Sequence, residues 1–444
     1  MDARAGTWYK IKSSEEQRMS ETNVPAIKPA RKGLLIAGCL TPIVLIAVVI
    51  GLFIFNISQR AQVQVELPEG MEFGDDMKFN AWASPTVSYD GAGRLDAYVP
   101  FGCRRGIFAA DPSRGLTIGG PSTQCRPAMN SALLKGGRTV LVHVPEGYDP
   151  NAAPYPLIIA FHGFGQRPHH VARILMPAFD KAQATGKMPK VVLVMPDMSL
   201  SGNGLDNTAT PWDEISGSWG VNSNHGRFAD HLTKELLPWI IENYNVRIDG
   251  ASTVVLGGSM GGTIALNMML DDPARFPNVG AFYPGIDLRY SCNGDRTADY
   301  NPDCYRPLTD DNPNRAMVTG HDQARFFTER TVLYPVFDSD KIKGEVWTED
   351  LPVWQRVRER NVVDRLRDNK PDLTGVHVWY IVGMNDDFNI DAQSTVFNEL
   401  IQAAGATLAP LDQLRPGRHD IPFIHNNIDD AITWINERLS KAQQ

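Results

Sequence analysis

The sequence is poor in cysteine and has no excess of positive charge, and both shortages exclude classes of protein. It has 5 cysteines among 444 residues, with no C-x-x-C pair and no nearby histidine, which argues against a zinc site. Lysine and arginine number 43 against 51 aspartates and glutamates, and no basic stripe appears, so nucleic acid is not an expected partner. Internal repeats and low-complexity tracts are also lacking. The composition is that of a globular protein with one large domain or two.

A long hydrophobic run stands near the N-terminus, from Leu34 to Ile57. It carries no charge and is about 24 residues long, and a membrane-spanning helix needs about 20. The flanking basic residues are Lys28, Arg31 and Lys32 before the run and Arg60 after it. The positive-inside rule therefore predicts a single-pass cell-membrane protein. Residues 1–33 would be a flexible cytoplasmic tail, residues 34–57 a signal anchor, and the catalytic domain would be extracytoplasmic.

Two alternatives to a retained anchor remain open. A cleaved signal peptide normally has a shorter apolar region, of roughly 7–15 residues, and a small-residue cleavage site that we do not find here. The stretch Ile36–Cys39 is similar to a bacterial lipoprotein cleavage box, which would make Cys39 a lipidated residue. However, the apolar stretch before Cys39 is very short, and the run continues long after it. These observations favour the retained anchor.

The remaining four cysteines form two pairs that are local in the sequence, namely Cys103 with Cys125 and Cys292 with Cys304. Even numbers of cysteines at short spacing in an oxidising compartment suggest disulfides. Because an anchored domain outside the cytoplasm would lie in such a compartment, we expect both pairs to be disulfide-bonded.

The chain after the hydrophobic run has two parts. Residues 58–130 are rich in Gly, Pro and Asp, and we interpret them as a stalk and a loop-rich extension, with a small binding module as the alternative. From residue 131 to 444, strands alternate with helices, which predicts an α/β fold with a doubly wound, mostly parallel sheet and a site at the carboxyl ends of its strands. Strands are expected at 139–144, 156–161, 191–195, 254–256, 279–283 and 376–382, and helices at 168–184, 228–244 and 428–439.

A long interval, from about 285 to 350, interrupts this alternation. Loops of such length in a compact domain are usually functional, so we expect a lid-like insertion over the active site. Its acidic residues could suggest calcium: Asp295, Asp299, Asp303, Asp310 and Asp311. Their spacing does not match an EF-hand loop, and we prefer a solvated loop held by the Cys292–Cys304 disulfide. No metal is expected.

The motif that organises the chain is Gly257-Gly258-Ser259-Met260-Gly261. A β-branched run precedes it and a helical stretch follows it, which is the strand, tight turn and helix of a nucleophile elbow. Ser259 would stand at a strained turn with its hydroxyl above the sheet. The alternative is a glycine-rich turn with an idle serine. The flanking strand and helix favour the elbow.

A serine hydroxyl needs a general base, and the base needs a carboxylate that orients it. Asp386 follows the strand that ends at Val382, in a Gly-x-x-Asp context, with Asp387 as its neighbouring competitor. His419 stands in a Pro-Gly-x-His context before the last helix and is the preferred base, and His425 is second. We therefore predict Ser259, Asp386 and His419 as the catalytic residues.

The oxyanion hole of such a site needs two backbone N–H groups. One belongs to Met260, which follows the nucleophile, and the other is assigned to Phe164 in the loop after the strand ending at Phe161. His162 is expected to organise that loop. The pair His169-His170 could suggest a metal site, but adjacent residues rarely share a face, so we interpret both as surface or pocket-rim groups.

Several motifs together resemble the esterase D-type branch of the α/β-hydrolases, which includes feruloyl esterases, polyhydroxybutyrate depolymerases and secreted mycolyltransferases. The resemblance covers roughly residues 131–440. The motifs that carry it are Val144–Tyr148, Leu157–Gly163, Gly257–Gly262, Gly383–Asp386 and Pro416–His419. It implies an α/β-hydrolase fold and a serine esterase without a cofactor.

One segment is similar to the mycolyltransferases in particular, namely Leu351–Arg356 ahead of Asn361–Val363. In those enzymes the acid is a glutamate in the helix after the strand, and Glu399 stands where that glutamate would be. The resemblance therefore adds Glu399 as a third candidate for the acid.

The sequence predicts a membrane-anchored, extracytoplasmic esterase that hydrolyses a carboxylic ester through an acyl-enzyme. Its partners would be an ester substrate, such as a lipid or polysaccharide ester of the cell envelope, and the membrane itself. One alternative is an envelope acyltransferase, in which a sugar hydroxyl replaces water. The other is a catalytically inert, hydrolase-like envelope protein.

Overall fold

A computed structural model describes residues 86–99, 117–200, 217–223, 225–292, 297, 299–310, 312–317, 328–338 and 351–441. The predicted tail at 1–33, the predicted anchor at 34–57, and Cys39 and Cys103 lie outside the described residues. Among the described helices, none is both long enough and apolar enough to cross a bilayer.

The described residues form short and long strands and a set of helices. The strands are β1 (Thr86–Ser88), β2 (Arg94–Val99), β3 (Thr117–Gly119), β4 (Thr123–Pro127), β5 (Met129–Ser131), β6 (Gly136–Arg138), β7 (Val140–Val144), β8 (Tyr155–Phe161), β9 (Val192–Pro196), β10 (Asn222–Ser223), β11 (Gly226–Arg227), β12 (Val246–Arg247), β13 (Thr253–Gly258), β14 (Asn278–Phe282), β15 (His377–Gly383), β16 (Thr407–Ala409) and β17 (Leu414–Arg415). The α-helices are α1 (Pro168–Ala184), α2 (Phe228–His231), α3 (Leu237–Asn243), α4 (Met260–Asp271), α5 (Glu329–Val332), α6 (Tyr334–Phe337), α7 (Val353–Arg360), α8 (Val362–Asn369), α9 (Ile390–Ala403) and α10 (Ile421–Lys441).

The strands build one large sheet in the order β16-β15-β14-β13-β8-β9-β7-β2-β4, with β12 beside β8 and β17 beside β15. The pairs from β16 to β9 are parallel, whereas β7 is antiparallel to both β9 and β2. This sheet confirms the predicted mostly parallel arrangement. Its central strands β13, β14 and β8 are almost fully buried, as expected for strands covered by helices on both faces.

The register of the central strands brings their carboxyl ends to one level. Leu256 of β13 lies opposite Ala160 of β8 and Gly280 of β14. Since parallel strands end at the same edge, the loops after β8, β13, β14 and β15 meet there. The candidate site lies at this edge.

The N-terminal part of the sheet begins before residue 131. Strands β2 and β4, from the predicted loop-rich extension, add to the edge beyond β7. The antiparallel pairing of β2 with β7 buries Leu95, Ala97 and Val99. The short length and polar residues of β4, which reads TQCRP, hide this strand from a hydrophobic-pattern prediction.

The predicted helices are present with two differences. Helix α1 has the predicted bounds, and the helix predicted over 228–244 is divided by a π-helical turn at Leu232–Leu236. Helix α10 begins at Ile421, seven residues before the predicted start, so His425 lies inside it on an exposed face. The helix begins earlier because its first turn already packs against the core, where it buries Ile421, Phe423 and Ile424.

The insertion after β14 is held by a disulfide between Cys292 and Cys304. The disulfide packs against Tyr290 and against Ala392 of α9. For the other predicted pair, Cys125 takes part in a disulfide, and because Cys103 lies outside the described residues, its pairing stays a prediction. Of the acidic residues considered for calcium, Asp310 pairs with Arg306, while Asp295 and Asp311 lie outside the described residues. No cluster of three potential metal ligands occurs in the part of the chain that the structure describes.

Candidate active site

The loop between β13 and α4 forces Ser259 into an unusual backbone conformation. Its φ is 55° and its ψ is −123°, a combination that costs a non-glycine residue on the order of 1–3 kcal/mol. The Ser259 N–H donates to the Phe282 carbonyl oxygen at 2.9 Å, which fixes the turn against β14. The serine side chain is thereby held above the edge of the sheet.

Glycines beside Ser259 allow the strand and the helix to approach closely. A Cβ on Gly261 would lie 2.2 Å from the Phe161 carbonyl oxygen, and a Cβ on Gly257 would lie 2.2 Å from the carbonyl carbon of Gly261. No side chain fits at either position without moving the backbone. The sharp turn of Ser259 therefore depends on both glycines.

The structure brings Ser259, His419 and Asp386 into one chain of hydrogen bonds. His419 Nε2 lies 2.9 Å from Ser259 Oγ, and His419 Nδ1 lies 2.8 Å from Asp386 Oδ2. An ionised carboxylate can only accept, so Nδ1 carries the proton that is donated to Asp386. Nε2 is then free to accept the proton of the Ser259 hydroxyl.

The loops that carry Asp386 and His419 are bound to each other through their backbones. The Asn385 N–H donates to the Gly417 carbonyl oxygen at 3.1 Å, and a Cβ on Gly383 would lie 2.5 Å from that oxygen. Asp386 itself is fully buried, and its Oδ1 accepts from the Phe388 N–H at 2.8 Å. This second contact leaves Oδ2 aimed at the imidazole.

The other two acid candidates point elsewhere. Asp387 accepts from the half-exposed guanidinium of Arg418. Glu399 lies on an exposed face of α9. Its neighbour Asn398 lies on the face toward the sheet, where its Oδ1 accepts from the hydroxyl of Tyr380 in β15. Neither carboxylate contacts His419 in the structure.

Two aromatic rings that the sequence analysis did not select enclose the imidazole of His419. The centroids of the Tyr283 and Phe388 rings lie 4.1 and 4.7 Å from that of His419. The Tyr283 hydroxyl donates to the Asp420 carbonyl oxygen at 3.0 Å. Burial raises the pKa of Tyr283 well above its usual value, and the nearby carboxylates of Asp420 and Asp386 add to this effect. Tyr283 follows directly after β14, which was the sequence signal that could have identified it.

Of the two predicted oxyanion donors, Met260 follows Ser259 directly in the chain, and Phe164 lines the same cavity as Ser259. Met260 is the first residue of α4, so its N–H has no partner within the helix. Phe164 lies in the loop after β8. Among the described residues, neither N–H donates a hydrogen bond to a protein acceptor. Both groups, together with the partial positive charge at the start of α4, are available to an anionic oxygen.

The loop that carries Phe164 is fixed by side chains on either side. Gln166 Oε1 accepts from the Gly163 N–H at 2.9 Å. His162 Nε2 accepts from the Met198 N–H at 2.8 Å, so its proton lies on Nδ1, which donates to the Gly163 carbonyl oxygen at 2.9 Å. His162 is buried, and these two hydrogen bonds organise the loop, as the sequence predicted.

The sequence suggested that His169 and His170 are surface or pocket-rim groups, and this is wrong for His169, which is buried, whereas His170 is half-buried. Their rings are 4.1 Å apart, and His169 is buried. Burial lowers the pKa of His169 well below its usual value and lowers that of His170 to about 3. Helix α1 begins at Pro168, so His170 is its third residue, and His170 Nδ1 accepts from the Arg167 N–H at the start of the helix.

A cavity of about 580 Å³, including the space at its open mouth, lies beside Ser259 and His419. Its walls come from α1, α10 and the carboxyl ends of β8, β13 and β14. No described residue of the insertion lines it. Because residues 318–327 and 339–350 lie outside the described residues, the lid stays a prediction. One described connection between the insertion and this site is indirect. Trp219 Nε1 donates to the Val332 carbonyl oxygen at 2.9 Å, and the centroid of the Trp219 ring lies 6.3 Å from that of Phe164.

Several solved structures are similar to this chain. A ferulic acid esterase is 17% identical, with a TM-score of 0.48, 70% of this chain and 96% of that chain being covered. An S-formylglutathione hydrolase from Agrobacterium tumefaciens is 20% identical, with a TM-score of 0.43 and coverage of 70% and 94%. FphF, a fluorophosphonate-binding serine hydrolase of Staphylococcus aureus, is 13% identical, with a TM-score of 0.44 and coverage of 69% and 96%.

The sequence itself also has relatives. Uncharacterized protein YbbA of Bacillus subtilis (strain 168) is 26% identical over 149 residues, which are 33% of this chain and 56% of that protein. The chain thus spans only somewhat more than half the length of this curated relative. Residues 131–413, more than half of the chain, match the model of the Esterase family. The elbow, the mostly parallel sheet and this match together identify the chain as a member of the Esterase family with an α/β-hydrolase fold.

Proposed function

We propose that the protein is a serine esterase that hydrolyses a carboxylic ester through an acyl-enzyme. The observation that carries this proposal is the hydrogen-bond chain from Ser259 Oγ through His419 to Asp386, at 2.9 and 2.8 Å. A nucleophile, its base and the group that orients the base are thus in contact, which is the arrangement that activates a serine hydroxyl.

In the first step, Ser259 Oγ attacks the carbonyl carbon of the ester while its proton passes to His419 Nε2. The carbonyl π electrons move to oxygen, and the N–H groups of Met260 and Phe164 bind the resulting oxyanion. Asp386 stabilises the imidazolium that has formed. When the tetrahedral intermediate collapses, the C–O bond to the alcohol breaks, and His419 returns the proton to the leaving oxygen.

In the second step, water replaces the alcohol. His419 Nε2 takes a proton from the water while the water oxygen attacks the acyl carbon. The second tetrahedral intermediate then collapses, the carboxylic acid is released, and Ser259 Oγ regains its proton. All of the steps use groups of this chain alone, and the mechanism that we propose has no role for a cofactor.

The acyltransferase alternative would need an acceptor hydroxyl in place of water. The resemblance of the sequence to the mycolyltransferases suggested Glu399 as the acid for this alternative. Because Glu399 is exposed on α9 while Asp386 contacts His419, no observation favours it. The inert alternative is separated from an esterase by a covalent probe.

The test of the esterase is Ser259→Ala. Both labelling by a fluorophosphonate probe and hydrolysis of p-nitrophenyl acetate should be lost, with kcat reduced on the order of 10⁶-fold if the three residues act as a unit. Ser440→Ala, which changes a serine in the last turn of α10, is the matched control and should keep both. Undiminished hydrolysis by the Ser259 variant would exclude the mechanism, and a wild-type protein that does not label would support the inert alternative.

We further propose that the enzyme is anchored in the cell membrane with its catalytic domain outside the cytoplasm. The uncharged run at 34–57 and the basic residues before it support this orientation. The disulfide between Cys292 and Cys304 also suits an oxidising compartment. Protease added to cells whose envelope admits it should degrade the catalytic domain, with a cytoplasmic protein of the same cells as the protected control. Full protection would reverse the proposed orientation.

A further inference from the structure

The cavity beside Ser259 extends away from the nucleophile along one face of the sheet. Val171, Ile174 and Leu175 of α1 line it, together with Ile424 of α10. The strands contribute Ala160, and successive residues of β13 from Gly258 back to Leu256. The space therefore descends from the reacting oxygen into the layer between the sheet and the two helices.

Small residues keep this space open. Gly258 does not adopt a positive φ, so the backbone conformation does not require a glycine there. A Cβ on Gly258 would lie 3.6 Å from Ile424 Cδ1 and 3.7 Å from Tyr283 Cε2, at ordinary contact distance and inside the cavity. Gly258 differs in this respect from Gly257 and Gly261, where a Cβ would collide with backbone atoms. The missing side chain of Gly258 thus creates volume next to the nucleophile.

The walls of this space are apolar below the level of the reacting groups. The polar side chains of the lining are Gln166, Ser259, Tyr283 and His419. Gln166 Oε1 already accepts from Gly163 N–H, and the Tyr283 hydroxyl donates to the Asp420 carbonyl oxygen. A hydroxyl or a charge carried deep into the cavity would lose its water without finding a partner among the described residues, which is unfavourable.

We propose that this cavity is the acyl-binding site and that it accepts an unbranched aliphatic acyl chain of medium length. This inference rests on the esterase function proposed above and specifies its substrate class. The carbonyl carbon would lie at Ser259 Oγ, and the chain would pass Gly258 and end at the Leu256 side chain. The helix residues Val171, Ile174 and Leu175 would cover it.

The depth of the cavity sets the length of the chain. Gly258 and Leu256 are two residues apart on β13, which corresponds to about 7 Å along a strand. An extended chain advances roughly 1.2 Å per bond, since a residue of three bonds spans at most about 3.3–3.6 Å. A chain of about six carbons therefore fills the distance between the nucleophile and Leu256.

The experiment measures kcat/KM of the purified enzyme for p-nitrophenyl acetate, butyrate, hexanoate, octanoate and palmitate, with methyl ferulate as an aromatic ester. We expect a maximum near hexanoate, roughly 10- to 100-fold above acetate because additional methylene groups are buried. Palmitate and methyl ferulate should be poorer substrates than hexanoate.

Two variants change the cavity in opposite directions. Gly258→Val fills the space beside Ser259 and should lower the ratio of hexanoate to acetate at least about tenfold, since an isopropyl group displaces several methylenes of the substrate. Leu256→Ala removes the end of the cavity and should move the maximum toward octanoate or longer esters. Val254→Ala is the matched control and should keep the wild-type chain-length profile. Val254 lies two residues before Leu256 in β13 and is buried, but it does not line the cavity. Circular dichroism establishes which variants are folded. A folded Gly258→Val or a folded Leu256→Ala is sufficient by itself to test the proposal.

The outcomes separate this inference from the proposed function. A wild-type enzyme that labels with fluorophosphonate but prefers acetate, palmitate or methyl ferulate would overturn the medium-chain site while leaving the esterase intact. An unchanged profile in a folded Gly258→Val variant would also overturn it. A wild-type protein that neither labels nor hydrolyses any ester would overturn both proposals together.

Discussion

The turn at Ser259 and the insertion after β14 are built by different means. At the turn, the contacts are made by backbone and small residues: glycines adjoin carbonyl groups, and β13 is buried between two parallel neighbours. In the insertion, charged side chains are buried in pairs. Arg289 donates to Asp364 of α8 at 2.8 Å, and Arg306 donates to Glu329 within the insertion, with all four side chains almost fully buried.

The difference lies in what each region needs in order to hold its shape. The turn is part of a sheet whose hydrogen bonds and apolar core fix it without charged groups. Among the described residues, the insertion contributes two short α-helices, α5 and α6, and it packs Val332, Leu333, Val336 and Phe337 into the main core. Between the end of β14 and these helices, its ion pairs and its disulfide fix the path of the chain. Catalysis should therefore depend on the turn at Ser259, whereas the buried ion pairs should affect the stability of the insertion.

The largest effect should come from the acid of the proposed catalytic site. Asp386→Asn removes the carboxylate that accepts from His419 Nδ1, so the imidazole loses its orientation and the stabilisation of its charged form. We expect kcat to fall by up to about 10⁴-fold in an ester hydrolysis assay at one pH. The fold of the variant should be checked by circular dichroism.

Two neighbouring carboxylates provide matched controls for that change. Asp387→Asn removes the partner of Arg418, and Glu399→Gln changes an exposed residue of α9. Both variants should retain most of the wild-type kcat. A dead Glu399→Gln variant beside an active Asp386→Asn would contradict the assignment and would favour the acyltransferase alternative.

The site and the insertion also differ in how much of each the sequence could predict. The glycines and the serine of the elbow are adjacent in the chain, and the family contexts of Asp386 and His419 identify loops at the same edge of the sheet. In contrast, Tyr283 and Phe388 enclose His419 because of how three loops pack, which no local pattern contains. The buried pairs of the insertion join residues that are 23 and 75 positions apart. Hydrophobic periodicity carries no information about such pairs.

A smaller effect is expected when a buried pair of the insertion is broken. Glu329→Gln removes a buried charge and leaves Arg306 with the partly exposed Asp310 as its one ionic partner among the described residues. Loss of one member of a buried pair costs about 3–5 kcal/mol in the free energy of unfolding, because the other charge stays buried. Urea denaturation measures this quantity, and kcat at a temperature where the variant is folded should change less than about tenfold.

The matched control for Glu329 is the pair of Arg358 with Asp368, which lies near the surface. Asp368→Asn should cost no more than about 1 kcal/mol, as is usual for exposed ion pairs. Equal losses of stability in the two variants would show that burial does not distinguish these pairs. A large fall in kcat for folded Glu329→Gln would show that the insertion supports catalysis directly and that the two regions do not differ in this respect.

The smallest effect concerns a single buried carboxyl group of the insertion. Asp287 is buried, its Oδ1 accepts from Asn361 Nδ2 at 2.8 Å, and its Oδ2 has no hydrogen-bond partner among the described residues. Burial raises the pKa of Asp287 to about 6, and the neighbouring carboxylate of Asp364 acts in the same direction. Since the pKa is higher in the folded than in the unfolded protein, folding binds a proton between these two values. The stability that this group contributes is present below about pH 4 and is lost as the pH rises to about 6.

Asp287→Asn imitates the neutral acid at every pH, so the difference in unfolding free energy between variant and wild type isolates this one group. The variant should equal the wild type near pH 4 and exceed it at pH 7 by up to about 3 kcal/mol, since one unit of pKa corresponds to about 1.4 kcal/mol. Asp303→Asn, at an exposed carboxyl of the same insertion, controls for general changes of charge and should differ from the wild type by less than about 0.5 kcal/mol at both pH values. Urea denaturation of the three proteins at pH 4, 5, 6 and 7 gives the comparison. An Asp287→Asn difference that does not grow with pH would mean that Asp287 is ionised in the folded protein throughout this range, with Arg289 rather than burial dominating its surroundings.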